Sequence, residues 1–220
     1  MALRGQTPLR VVEGSPTLTS VPGTFRRVED SPNPQGGQTP LRVVEGLGRA
    51  EARRLVRGAQ RGSAEDFEAL FAAHWPRAYR AAWLVVHDAS AAEDIAQEAF
   101  IAALRALDRF DRRRPFGPWL SRIVINRAID HARSRRLRAV PAAMPGAAAP
   151  PAPDGWSDEM VRALAALPVD QRAVVVMRYV LDYTPGEIAR ALDLPRGTVN
   201  SRLRRALDGL ATLLEEPDGG

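Results

Sequence analysis

The stretch TPGEIARALDLPRGTVNSRLRRAL, Thr184–Leu207, decides how this chain is read. Thr184 and Glu187 have the spacing of a capping box, and Pro185 falls at the first helical position, where a missing N–H would lack an intrahelical partner anyway. Ile188, Ala189 and Leu192 give a helix of barely two turns its buried side. Asp193-Leu194-Pro195 breaks that helix, and Pro195 can begin the next. Val199, Leu203 and Leu207 then point inward at a spacing of four. Outward lie Arg196, Thr198, Asn200, Ser201, Arg202, Arg204 and Arg205. A short capped helix, a tight break and a basic helix form the pattern of a helix-turn-helix, whose second helix offers its N-terminal residues to a DNA major groove. The dipole at that N-terminus also favours phosphate.

Composition sets the frame around this pair. The 220 residues suffice for one large domain or two small ones. Hydrophobic residues are 45% and aromatics 6%, which suits small Ala/Leu-rich helical domains with modest cores. The net charge is +5, and all 31 basic residues are arginine, so only arginine placement carries information. The absence of cysteine excludes disulfides, thiolate catalysis and Cys-based zinc sites. His74, His87 and His131 have no ligand-like spacing, and no metal or other cofactor is expected. No run of about 18 apolar residues exists and the N-terminus has no apolar signal core, so a cytoplasmic protein without a membrane span is expected.

Residues 1–60 read as a disordered arm. GQTPLRVVEG occurs twice, at Gly5–Gly14 and Gly37–Gly46, and Pro16, Pro22, Pro32 and Pro34 lie between the copies. Two copies are too few for a solenoid. Helical periodicity begins near Ser63, which has the place of a cap, with Phe67, Leu70, Phe71, Trp75, Tyr79 and Trp83 on the apolar side. Ser90 and Glu93 have capping-box spacing for the next helix. There Ile95, Ala99, Ala102, Ala103 and Leu107 face inward, with Phe100 and Leu104 widening the stripe. Asp94, Gln97, Glu98 and Arg105 occupy the opposite face. DRRRPFGP, Asp111–Pro118, is a loop by its Pro and Gly, and a long helix should follow from about Trp119 to about Arg138. The span Arg105–Arg138 carries a local charge of +8 and interleaves arginines with Phe110, Phe116 and Trp119. Arginine neutralises phosphate, and aromatic rings can stack on unpaired bases, so this is a second candidate nucleic-acid surface. An Ala/Pro stretch over 139–155 reads as a semi-rigid linker. A second helical unit, 156–216, contains the opening stretch.

AEDIAQEAF, Ala92–Phe100, resembles the most recognisable stretch of bacterial sigma factors. RFDRRRPFGPWLSRIVINRAIDHARSRR, Arg109–Arg136, is similar to their adjoining melting and −10-reading region. LPVDQRAVVVMRY and Thr184–Leu207 resemble their −35-reading domain. The order, spacing and small size resemble the extracytoplasmic-function (ECF) group, over about Asp66–Leu214. The resemblance implies an all-α protein: two small helical domains, 61–138 and 156–216, joined by a flexible linker. It implies that Asp94, Gln97 and Glu98 dock on core RNA polymerase. It implies that Arg112, Arg113, Phe116, Trp119, Arg122, Asn126, Arg127, Arg133 and Arg136 hold opened −10 DNA. It implies that Arg196, Thr198, Asn200, Ser201, Arg202 and Arg205 read or grip the −35 duplex. An anti-sigma factor is a further candidate partner. Asn200 stands where many relatives carry lysine, and asparagine can pair bidentately with adenine.

Two other readings compete. A plain helix-turn-helix regulator would bind duplex promoter DNA without polymerase. An enzyme would need a nucleophile or clustered carboxylates. Asp88, Glu93, Asp94 and Glu98 are the only candidates, and they read as a cap and a polar face. No enzymatic activity is expected.

Overall fold

The computed structural model describes residues 47–137 and 149–215, all within one compact unit. It is helical: α1 (Arg49–Ala59), α2 (Ala64–Val86), α3 (Ala89–Ala106), α4 (Phe116–Leu137), α5 (Asp158–Ala166), α6 (Val169–Val175), α7 (Pro185–Leu192) and α8 (Arg196–Glu215). No strand occurs among the described residues. The repeated arm up to residue 46 and residues 138–148 of the linker region lie outside them.

The first half is built around α2, which packs on α1, α3 and α4. Ser63 caps it, its Oγ accepting from the Asp66 N–H at 3.2 Å. Pro76 sits within α2 without ending it, and His87, left-handed at φ 50°, does end it. Alanines at the contacts, including Ala81, Ala82, Ala96, Ala99 and Ala128, are fully buried. Such small side chains let helix axes approach closely. Phe71, Trp75 and Phe100 fill the remaining space, with Phe71 4.6 Å from Phe100 between ring centroids.

Three expectations for this half are corrected. Residues 49–59 form α1 rather than continuing the arm, because Leu55, Val56 and Ala59 bury one face against the core. Gly58 permits the approach: a Cβ there would fall 1.7 Å from Asp66 Oδ2. The cap of α3 is Asp88, which accepts from the Ala91 N–H at 3.1 Å; Ser90 is already helical, and Glu93 accepts from Gln97 instead. A left-handed His87 followed by an extended Asp88 places the non-helical residue an N-cap requires at Asp88. Finally, α4 starts at Phe116, with Pro118 tolerated in the first turn.

In the second half α8 packs on α5, α6 and α7. Ser157 caps α5, accepting from the Met160 N–H. Beyond α6 the chain continues as a π turn over Val176–Val180, closed by the Leu181 N–H on the Val176 carbonyl at 3.0 Å. Val174, Val176, Met177, Ile188 and Val199 are fully buried. On α8 the buried stripe runs Val199, Leu203, Ala206, Leu210, and Leu207 is 43% exposed, contrary to the expected spacing of four. With 3.6 residues per turn, a strict four-residue repeat rotates off the stripe by about 40° each step. The same drift exposes Leu104 on α3, expected inside.

The halves touch. Arg172 donates to the Val85 carbonyl at 2.6 Å and Arg77 to the Leu181 carbonyl at 2.7 Å. The Tyr183 hydroxyl donates to the Pro118 carbonyl.

Candidate nucleic-acid interface

Three surfaces carry the residues singled out from the sequence. The first lies on α3. Asp94, Gln97 and Glu98 are exposed together, and Ile101 and Leu104, both 49% exposed, extend the same side of the helix. Glu98 also faces Arg127 of α4 at 3.8 Å.

The second surface surrounds a cavity of about 180 Å³ between α1 and the loop before α4. Arg112, Arg113 and Arg114 reach it from the loop, and Arg49 and Arg53 from α1. The loop is ordered by Asp111: its carboxylate accepts from the Arg113 N–H at 2.9 Å and its carbonyl from the Arg114 N–H at 2.9 Å. Phe110 and Phe116 line the cavity beside buried His74. Phe116 is only 3% exposed, held by Phe110, Trp119 and His74, so it is a cavity wall and not the open stacking platform expected. Trp119 is half-buried against Phe110, with ring centroids 4.5 Å apart. Along α4, Arg122, Arg133 and Arg136 are exposed, and Asn126 and Arg127 half-buried. Arg49 and Arg53 were not singled out from the sequence, and Arg114 only as part of the Asp111–Pro118 loop. The clue lay in GRAEARRLVRGA, where Leu55, Val56 and Ala59 set a helical face behind the arginines.

The third surface is the α7–α8 pair. Thr184 and Glu187 form the expected reciprocal cap: the Thr184 N–H donates to Glu187 Oε2 at 2.8 Å, and the Glu187 N–H to Thr184 Oγ1 at 3.3 Å. Those bonds, from the Thr184 backbone and then its hydroxyl, hold the Glu187 carboxyl below the ordinary carboxylate range. Asp193, left-handed at φ 52°, makes the break, its N–H donating to the Ala189 carbonyl. The chain re-enters a helix as Thr198 and Val199 bond back to Pro195. Arg196, Asn200, Arg204 and Arg205 are exposed on α8. Thr198 and Ser201 are half-buried, and the Ser201 hydroxyl donates to the Thr198 carbonyl at 3.0 Å. Arg202 does not project freely: it turns to Asp170 of α6 at 3.5 Å. Asp170 also receives Arg133 of α4 at 2.6 Å.

Between the halves, burial pushes the His87 imidazole down to about 4; the Arg172 charge adds to this and a hydrogen bond to the Leu84 backbone opposes it. Burial likewise lowers the Arg172 guanidinium to about 10. Among the described residues, no group of three or more His, Asp and Glu could hold a metal ion, and no helix is long and apolar enough to cross a membrane.

An all-α chain with a helix-turn-helix in one half and an arginine-lined aromatic cavity in the other belongs to the class of helical DNA-binding proteins. Residues 70–138 match the family Sigma-70 region 2, and residues 157–208 match Sigma-70, region 4. The ECF RNA polymerase sigma factor SigM of Mycobacterium tuberculosis is 36% identical over 157 residues, covering 70% of this chain and 79% of that protein. The ECF RNA polymerase sigma factor SigW of Bacillus subtilis is 28% identical over 181 residues, covering 74% and 97%. Among solved structures, CnrH in complex with the cytosolic domain of CnrY aligns with a TM-score of 0.56 at 28% identity, over 77% of this chain and 99% of that one. The chain belongs to the ECF RNA polymerase sigma factors.

Proposed function

We propose that this sigma factor brings core RNA polymerase to its promoters through three separate contacts and helps open them. The observation that carries the reading is the pairing, in one chain, of an exposed recognition helix with an arginine-ringed aromatic cavity. The two suit different states of DNA. Arg196 and Asn200, near the N-terminal end of α8, can approach base edges in a duplex groove. Arg205, further along, is placed for phosphate. The cavity beside Arg112, Arg113 and Arg114 suits a base already out of the stack, because a pocket with an aromatic wall holds a single base and not a paired one. Trp119, Arg122, Asn126, Arg127, Arg133 and Arg136 would continue that track along α4.

Asp94, Gln97 and Glu98 form the polymerase contact. An acidic face on a basic chain repels DNA, which suits it to protein. Exposed Ile101 beside it offers apolar area to bury on docking. The domain boundaries follow this division: a polymerase-binding and −10-reading unit through 138, and a −35-reading unit from about 156. The protein acts by binding, makes or breaks no covalent bond itself, and works in the cytoplasm where the polymerase is. An anti-sigma protein is a further candidate partner.

Reconstituted transcription tests this. Core polymerase with this protein should start at discrete promoters in a genomic library, and core alone should not. Asp94→Arg with Glu98→Arg should abolish co-purification with core while the chain stays helical by circular dichroism. Specific duplex binding by the chain alone, with no effect on initiation, would favour a plain helix-turn-helix regulator instead.

A further inference from the structure

Asp170 lies where two basic surfaces converge. It occupies the first turn of α6, and its two oxygens face different arginines. Oδ1 accepts from Arg133 of α4 at 2.6 Å, and Oδ2 stands 3.5 Å from Arg202 of α8. One of these arginines belongs to the single-strand track and the other to the recognition helix. Around this point the halves are joined by bonds between residues far apart in sequence: Arg172 to Val85, Arg77 to Leu181, and Tyr183 to Pro118. The last one seats the second half on the first turn of α4, beside the loop that walls the cavity.

A guanidinium bound to a carboxylate is not available to a phosphate, and the carboxylate itself repels phosphate. We propose that Asp170 is an internal phosphate mimic, a latch that draws one DNA-contacting arginine from each half and keeps the free protein closed. This rests on the reading of Arg133 and Arg202 as promoter contacts. Ion pairs that stay in contact with water, as the exposed Arg133 and the half-buried Asp170 and Arg202 do, are individually weak and salt-screened. The latch therefore biases the closed arrangement without fixing it, and a partner that binds the separated halves can reverse it.

The chain has no cysteine, so a dye pair can be placed on the full-length protein at Glu65→Cys and Ala211→Cys, both exposed. At low salt the unbound protein should show one short-distance population. Asp170→Arg, which repels both arginines, should move it to longer distance, and Asp170→Asn should do so in part. Without polymerase, affinity of the unlabelled chain for a randomised duplex pool should rise. Asp208→Asn, an exposed carboxylate elsewhere on the same half, corrects for the change in net charge. Asp170→Asn should exceed that control by about fivefold, as expected if the DNA-competent form were a minor population. Circular dichroism and thermal melting show whether each variant folds, and Asp170→Asn decides the matter if Asp170→Arg does not. Unchanged dye distances in folded variants overturn the latch. Opening with no gain over the control also overturns it, since the contact would then be structural only. The promoter reading fails by a different result: polymerase carrying Arg202→Ala initiating as the parent does, whatever the dye distance.

Discussion

Both halves place arginine at a candidate nucleic-acid surface, but they surround it differently. Around α4 the arginines stand over rings: Phe110, Phe116 and Trp119 make mutual contacts at 4.5 to 5.9 Å beneath the Arg112–Arg114 loop. Along α8 they rise from an aliphatic base of Val199, Leu203, Ala206 and Leu210. A ring-walled cavity can hold a base removed from its stack. A smooth helix with exposed Arg196 and Asn200 can only reach edges that a duplex presents. On the proposed reading, the same charged residue type serves opening or addressing according to what lies under it.

The largest effect should come from the loop. Replacing Arg112, Arg113 and Arg114 together with Ala should remove nearly all promoter opening, read by permanganate reactivity of thymines, while the closed complex weakens far less. Equal loss of both would break the contrast, because the loop would then be gripping duplex.

A second prediction concerns the seam between the halves. His87 is neutral in the fold because its imidazole is held near 4, and unfolding returns it to about 6.5. The unfolded chain binds the extra proton between these values, so the stabilising contribution is present above about 6.5 and is lost as pH falls toward 4. The loss should be at most about 3 kcal/mol by the usual conversion of pKa to free energy. His87→Asn, which tolerates the left-handed backbone, should flatten this limb in denaturant melts between pH 7 and 4.

Smaller effects should separate base from phosphate contacts on α8. Asn200→Ala should cost about 1–3 kcal/mol and relax preference at one −35 position; Arg205→Ala should weaken all sequences alike and reduce the salt dependence. A randomised −35 library transcribed at several salt concentrations reads both. The same unchanged preference in both variants would remove Asn200 from the base-reading set. The smallest effect is the cap of α7. Thr184→Ala should lower stability by about 1 kcal/mol, visible as a shifted denaturant midpoint.

The helix-turn-helix was legible because its signals are local: a cap, a proline, a two-turn apolar face and a break, each within four residues of its partner. The cap of α3 was less legible, since Asp88 and Ser90 are both good capping residues two positions apart. Only the left-handed His87 decides between them. α1 was hidden by its surroundings, a short basic helix following a Pro/Gly-rich repeat. The positions of Phe116 and Arg202 depend on partners far along the chain, His74 and Asp170, and spacing holds no trace of such pairs. Leu104 and Leu207 failed for a geometric reason, the drift of a four-residue count on a 3.6-residue helix.

The π turn at Val176–Val180 acts as a slack loop. Its closing bond spans five residues where an α-helix spans four, so it stores roughly one extra residue. A residue taken up inside the turn in this way does not swing the elements that follow it. Tyr183 keeps its reach to Pro118, and α8 its seat on α5 and α6, both of which precede the turn. Deleting one residue there would let the turn tighten to an ordinary helix, and the recognition helix would keep its aim.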